Sequence, residues 1–444
     1  MSSSFRYFLK RTQQNTTHTH NHHKTSRRSI LQMTGASLIL PTALTGLSKK
    51  VRAEQMEANR HGGPYWLTIH AGGGWDPTLL CDPKGITSAD DPAPINNYFT
   101  DEIEQVGDFL VPPVEGHLEF FQTFQNDLLV INGIDVGTNG HEQGTRATWS
   151  GGMDANRPSL MALIAGAVEP RPSLAFMSSG GYDYTAGLVP ITRLPDTGTI
   201  QELAFPERRN AADPSVVYLH SDINSMIQKA RLERLDRIQS QVHLPRTVNA
   251  MQVLQAARAD DSELSSLIEV LPEEISSDSM EQQIQVALSC FSAGVSITSS
   301  LSIGGFDTHG NHDATHTPRL QQVLSAITFA RQEAERLGIA DRLYILVGSD
   351  FARTPHYNDG NGKDHWSITS MMMMGPDIQG GRVIGATDED QLPRYVNPET
   401  LELDDNGVAI KPGNIHAALR RLAGIEDNPI VTGVEVDSWM PILG

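Results

Sequence analysis

Four short runs rich in β-branched and apolar residues, Tyr65 to Ala71, Leu128 to Ile134, Ser296 to Ile303 and Leu343 to Gly348, each stop at a loop of Gly, Asp or His. Between them, Leu118 to Phe124, Ser159 to Ala167, Met280 to Ala293 and Arg319 to Leu337 carry apolar residues at helical spacing. That alternation predicts an α/β fold, a mostly parallel central sheet flanked by helices. The charged, glycine-free interval from Ser221 to Glu274 departs from the pattern and predicts a helical insertion, a lid or subdomain over about residues 221–280. Met371 to Met374 is expected to fill core as a buried strand, because contiguous thioethers lack the spacing of a ligand set.

The N-terminal segment reads as an address. Arg27 and Arg28 stand before an uncharged, weakly apolar run from Ile30 to Leu47, which ends near Val51-Arg52-Ala53. Paired arginines in that setting predict a twin-arginine (Tat) signal over residues 1–53, the Tat translocase as a transient partner, and a periplasmic or secreted mature chain. The run is interrupted by Gly35, Pro41 and Gly46 and falls short of the ~20 residues a membrane span needs. Loss of residues 1–53 removes nine Lys or Arg and no acid, so the formal charge moves from −19 to about −28 and nucleic acid is excluded as a partner. Residues 54–444 then form the functional domain, with no stable membrane span. Two cysteines, Cys81 and Cys290, read as unrelated thiols, with one bridge left open in an oxidising compartment.

Chemistry-bearing residues gather where the strands end, the place an open α/β sheet offers its ligands. The third strand runs into Gly304-Gly305-Phe306-Asp307-Thr308-His309-Gly310-Asn311-His312, one carboxylate and two imidazoles on a short loop. This donor set suits zinc, manganese or iron better than calcium or magnesium, so a divalent metal, zinc first, is expected, with manganese, iron or calcium left open. His316 stands nearer the following helix, as an outer partner. The fourth strand ends in Ser349-Asp350-Phe351-Ala352-Arg353, where a carboxylate past an apolar strand should face a cation, either metal or Arg353. Asp364-His365 follows. The first strand leads to Gly72-Gly73-Gly74-Trp75-Asp76, and the second to Gly140-His141-Glu142-Gln143-Gly144-Thr145. Four strand ends that each supply an acid or a histidine predict one shared site.

The segments GGFDTHGNH, SDFARTPHYNDGNGKDHW and GGRVIGATDED resemble the bacterial family called domain of unknown function 1501, in the alkaline phosphatase and sulfatase superfamily. The resemblance implies an alkaline phosphatase-like, metal-dependent fold whose relatives hydrolyse phosphate or sulfate esters, with a small-molecule or glycan ester as substrate. Position by position it implies Asp76, Asp307, His309, His312, Asp350 and His365 as metal ligands. Two departures mark this chain. Phe351 follows Asp350 where the superfamily has His, and His141 or Glu142 falls near the place of the usual hydroxyl nucleophile. His141 is therefore read as a further ligand or general base, Thr145 as the hydroxyl that could restore a covalent route, and Arg353 as a bidentate anion clamp or an ion-pair partner of Asp350.

The expectation is an exported metal-dependent hydrolase of phosphate or sulfate esters. Its alternative is a non-catalytic periplasmic binding or assembly protein that keeps the fold and a structural or vestigial metal. A redox enzyme is disfavoured, since no dinucleotide glycine pattern follows the first strand and no haem motif occurs.

Overall fold

The computed structural model describes residues 61–88, 90, 93–193, 209, 215–241, 247, 267 and 270–444. The export signal expected over residues 1–53, and most of the interval from 242 to 269, lie outside the described residues.

An eight-stranded sheet organises the domain. Its strands in chain order include β1 (Tyr65–Gly72), β4 (Leu129–Asp135), β5 (Phe176–Ser178), β6 (Ile191–Thr192), β7 (Thr298–Gly304), β8 (Leu343–Ser349), β11 (Ile368–Met374) and β12 (Arg382–Ile384). Two small hairpins lie apart from it, β2 (Glu104–Val106) with β3 (Phe109–Val111), and β9 (Ala352–Arg353) with β10 (His365–Trp366). Across the sheet the order is β12-β4-β11-β8-β1-β7-β5-β6, and β11 alone runs against its neighbours.

The central strands are buried along most of their length because both faces are covered. Side chains alternate between the two layers: Leu67 and Ile69 of β1, Ile345 and Val347 of β8, and Met372 and Met374 of β11 enter one core. Trp66, Tyr344, Leu346, Met371 and Met373 enter the other. The first core is closed by α1 (His117–Phe124), α5 (Ser279–Ser292) and α6 (His312–Arg336). The second is closed by α2 (His141–Ser150), α3 (Leu160–Ala167), α7 (Pro412–Leu422) and α8 (Pro429–Thr432). The methionine run is thus buried strand, as expected. Within the predicted insertion, α4 (Ser221–Gln239) is helical and largely exposed. Cys81 and Cys290 are free and buried, so no bridge joins them, and burial raises the Cys81 thiol to about 12.

One departure from expectation matters for the site. The helix expected from Arg319 begins at His312, because Asn311 takes a left-handed conformation at the cap and Pro318 is accommodated inside the helix. His312 and His316 therefore lie one turn apart on a buried helix face, not on the open loop.

Register brings the strand ends level. Gly72 pairs with Gly304, and Ala71 with Ser349, so the segments after β1, β7 and β8 emerge side by side. The reversed strand β11 starts at that same edge, which delivers His365, three residues before it, to the same place. Gly144 lets α2 close on this edge: a Cβ there would stand 2.3 Å from the Asp350 carbonyl oxygen. Gly144→Ala is expected to lose about 1–3 kcal/mol of stability through overpacking. The urea midpoint of unfolding measures it, and an unchanged midpoint would show that α2 does not rest on β8 in this way.

Candidate metal centre

The loop after β1 is built on glycine. Gly73 and Gly74 have φ of 119° and 85°, and a Cβ on Gly73 would lie 2.5 Å from the Asp307 amide nitrogen. This backbone-to-backbone approach lets the Gly73 and Gly74 amides, each at 2.9 Å, donate to Asp350 Oδ1. The other Asp350 oxygen, Oδ2, accepts from His141 Nδ1 at 2.5 Å. Burial pushes the Asp350 carboxyl up, but the His70 charge, the His141 hydrogen bond and the loop amide outweigh it and hold it below its ordinary value. Asp350 is thus ionised and orients His141.

Two more imidazoles are held the same way. His309 Nδ1 donates to Asp364 Oδ1 at 2.6 Å, and His365 Nδ1 donates to the Asn139 carbonyl at 2.8 Å. A carbonyl can only accept, so the proton on His365 is placed without ambiguity. The His309 hydrogen bond is the main cause that lowers the Asp364 carboxyl, which is therefore an acceptor too.

With all three Nδ1 atoms directed outward, the three Nε2 atoms face inward, toward Asp307. His309 Nε2 and His365 Nε2 stand 3.0 and 3.1 Å from Asp307 Oδ1, and 3.1 Å from each other. His141 Nε2 stands 3.5 Å from Asp307 Oδ2. Donor atoms of His141, Asp307 and His365 all fall within 4.8 Å of one another. Asp307 is held at about 2: partial burial raises it, but hydrogen bonds from Arg353 and His365 prevail. His141, Asp307 and His365, with His309 beside Asp307 and each imidazole backed by an oxygen, fit a divalent cation in both the donors and the partners behind them.

Arg353 touches this site only through Asp307. Its side chain is fully buried: Nε donates to Gly74 O at 2.9 Å, Nη1 to Lys363 O at 3.0 Å, and Nη2 to Gly73 O and to Asp307 Oδ1, the last at 2.7 Å. Its carboxylate partner is Asp307 rather than Asp350, and its task is to fix Asp307 and three loop carbonyls. Thr145 Oγ1 donates at 2.7 Å to the carbonyl of His141, one turn back on its own helix.

Asp76 and His312 lie in a separate buried cluster. Asp76 caps the turn Pro77–Leu79 through Oδ1, which accepts from Thr78, and its Oδ2 lies 2.7 Å from Lys363 Nζ and 3.0 Å from His312 Nε2. Despite the cost of burial, Lys363 and His312 keep this carboxyl far below its ordinary value. So the strand ends do meet at one edge, but they form an open cluster of His141, Asp307, His309 and His365 and a closed one around Asp76. Lys363, Thr308 and the Asn139 carbonyl carry no signal of their own in the sequence. Asp364 belongs to the Asp364-His365 pair expected at this edge, where it backs His309.

Side chains of the open cluster are a quarter to a half exposed. The larger hollows lie elsewhere, such as one of about 590 Å³ lined by Asn97, Asn311, Asp313 and Tyr357. Donor chemistry, not concavity, marks this centre.

A sequence model of the family described as protein of unknown function (DUF1501) matches residues 195–437, more than half of the chain. No curated protein matches in sequence. Among solved structures the chain is similar to the PsFucS1 sulfatase from Pseudoalteromonas sp., at 10% identity and a TM-score of 0.38 over 87% of this chain and 73% of that one. It is also similar to a phosphonate monoester hydrolase of Agrobacterium radiobacter, at 12% identity and a TM-score of 0.29 over 85% and 78% of the two chains. Likeness at these scores assigns no activity.

Proposed function

Since the chain belongs to the family of unknown function DUF1501, we propose from its own residues that it is an exported, metal-dependent hydrolase of phosphate or sulfate esters. The observation that carries the reading is the inward convergence of three oxygen-backed imidazoles on the Asp307 carboxylate. A cation that displaces the Nε2 protons would be met by imidazole and carboxylate lone pairs together. His141, Asp307, His309 and His365 would hold the cation, zinc first. When bound, it supplies Lewis acidity toward an ester oxygen and a source of hydroxide near neutral pH.

The chain's other groups complete the site. His141 opens α2, and the first-turn amides of a helix have no intrahelical acceptor, so its positive end favours the anionic ester group. With Arg353 engaged on carbonyls, this helix end is the group we assign to the ester's free oxygens. Thr145 points back along α2, which favours direct displacement by water over a covalent route. Export rests on Arg27, Arg28 and the apolar run after them, and among the described residues no helix is long and apolar enough to cross a membrane.

Elemental analysis of the exported protein, paired with turnover of aryl phosphates and aryl sulfates, tests the reading. Chelation is expected to abolish turnover, and zinc to restore it. At a free zinc concentration of 100 Kd the holo protein should gain about 2.7 kcal/mol of stability over the apo form. Protein that binds no divalent cation, or turns over substrate equally well in chelator, would sink the proposal. Tight zinc without turnover would favour the non-catalytic alternative.

A further inference from the structure

The closed cluster beside the centre has determinate protons. The Asp76 amide donates to His316 Nε2 at 2.9 Å, so the remaining proton of a neutral His316 sits on Nδ1. Burial holds His316 well below its ordinary value and keeps it neutral. Its Nδ1–H meets Thr308 Oγ1 at 3.0 Å, and the Thr308 hydroxyl in turn meets His312 Nδ1 at 2.7 Å. His312 Nε2–H then donates to Asp76 Oδ2 at 3.0 Å. The circuit leaves from the backbone of Asp76 and returns to its carboxylate, with every hydrogen bond pointing the same way round. Lys363 Nζ joins it at Asp76 and reaches Asn96 Oδ1 at 3.0 Å. Asp76, His312, His316, Lys363 and Asn96 are fully buried.

Two members of this cluster sit beside the cation donors in sequence. Thr308 lies between Asp307 and His309, and Lys363 directly precedes Asp364-His365. The two segments are also laid on each other: Lys363 N donates to Thr308 O at 3.1 Å, and a Cβ on Gly362 would come within 1.9 Å of the His309 carbonyl carbon. We propose that Thr308 is a positioning residue, whose hydroxyl closes the Asp76–His316–Thr308–His312 circuit and so fixes the peptide on which Asp307 and His309 present their donors. The inference rests on the reading of those donors as a cation centre.

Zinc affinity, measured by competition against a chromogenic chelator, separates the possibilities. Thr308→Val keeps shape and removes the hydroxyl. It should weaken zinc about 10–100-fold, as loss of an outer partner does, and shift the visible bands of the cobalt(II)-substituted protein. Thr308→Ser should restore both. If Thr308→Val binds zinc as tightly as wild type and only lowers the unfolding temperature of the apo protein, the residue is merely structural and the inference fails while the centre stands. If wild type binds no zinc, both fail together. Imidazole ¹⁵N shifts of the unaltered protein give a test that needs no variant. His316 protonated on Nδ1 and His312 on Nε2 support the circuit, and the opposite tautomer at either, or a doubly protonated His312, overturns it.

Discussion

Asp307→Asn is expected to abolish cation binding and, with it, turnover. The substitution keeps the shape of the side chain and removes the negative charge on which three imidazole Nε2 atoms converge, at 3.0 and 3.1 Å to Oδ1 and 3.5 Å to Oδ2. Its effect should exceed that of Asp350→Asn, because both Asp350 oxygens are already engaged by the Gly73 and Gly74 amides and by His141. Asp350 acts through His141, and loss of such an outer partner weakens zinc about 10–100-fold. The double variant should lose less than the two single losses combined, since an emptied site cannot be emptied again. Competitive zinc titration of the three variants checks the order. An effect of Asp350→Asn equal to or larger than that of Asp307→Asn would mean that Asp350, not His141, touches the cation.

The place of the site was legible in the sequence, and its partition into two clusters was not. Four strands ending in acid or histidine are enough to predict a common edge, since level strand ends in a parallel sheet leave their loops together. The reversed β11 kept this intact, because a strand running backwards brings the segment before it, with His365, to the edge where its neighbours finish. What sequence spacing could not decide is which way a side chain turns once it leaves a strand. His309 and His312 are three residues apart, yet the helix that begins at His312 rotates its ring into the core while His309 stays on the open loop. Asp76 carried a signal that could have been used: Asp-Pro-Thr is a helix-cap pattern, which commits the carboxylate to backbone amides. Arg353 carried none. Its guanidinium is buried by three carbonyls from loops far apart in the chain, and no local pattern encodes such a contact.

The second large effect is on stability and belongs to Lys363. Lys363→Met should destabilise the protein by about 3–5 kcal/mol, because it leaves the fully buried Asp76 carboxylate without its cation. Asp76→Asn in the same chain should recover much of that loss, since the neutral pair has no uncompensated charge to bury. Asp76→Asn alone is distinguished by pH. In the wild type the Asp76 carboxyl is depressed in the folded state relative to 3.8, so its contribution is fully present above about pH 4 and declines as pH falls below the unfolded value. Over that range the unfolded state binds one more proton than the folded state, and wild-type stability should drop relative to Asp76→Asn by about 1.4 kcal/mol per pH unit. Urea unfolding of both proteins without metal, at pH 7 and at steps below pH 4, measures the difference. Parallel acid limbs would mean that Asp76 is not held ionised by Lys363, and a Lys363→Met variant as stable as wild type would mean that the buried pair contributes nothing net to the fold.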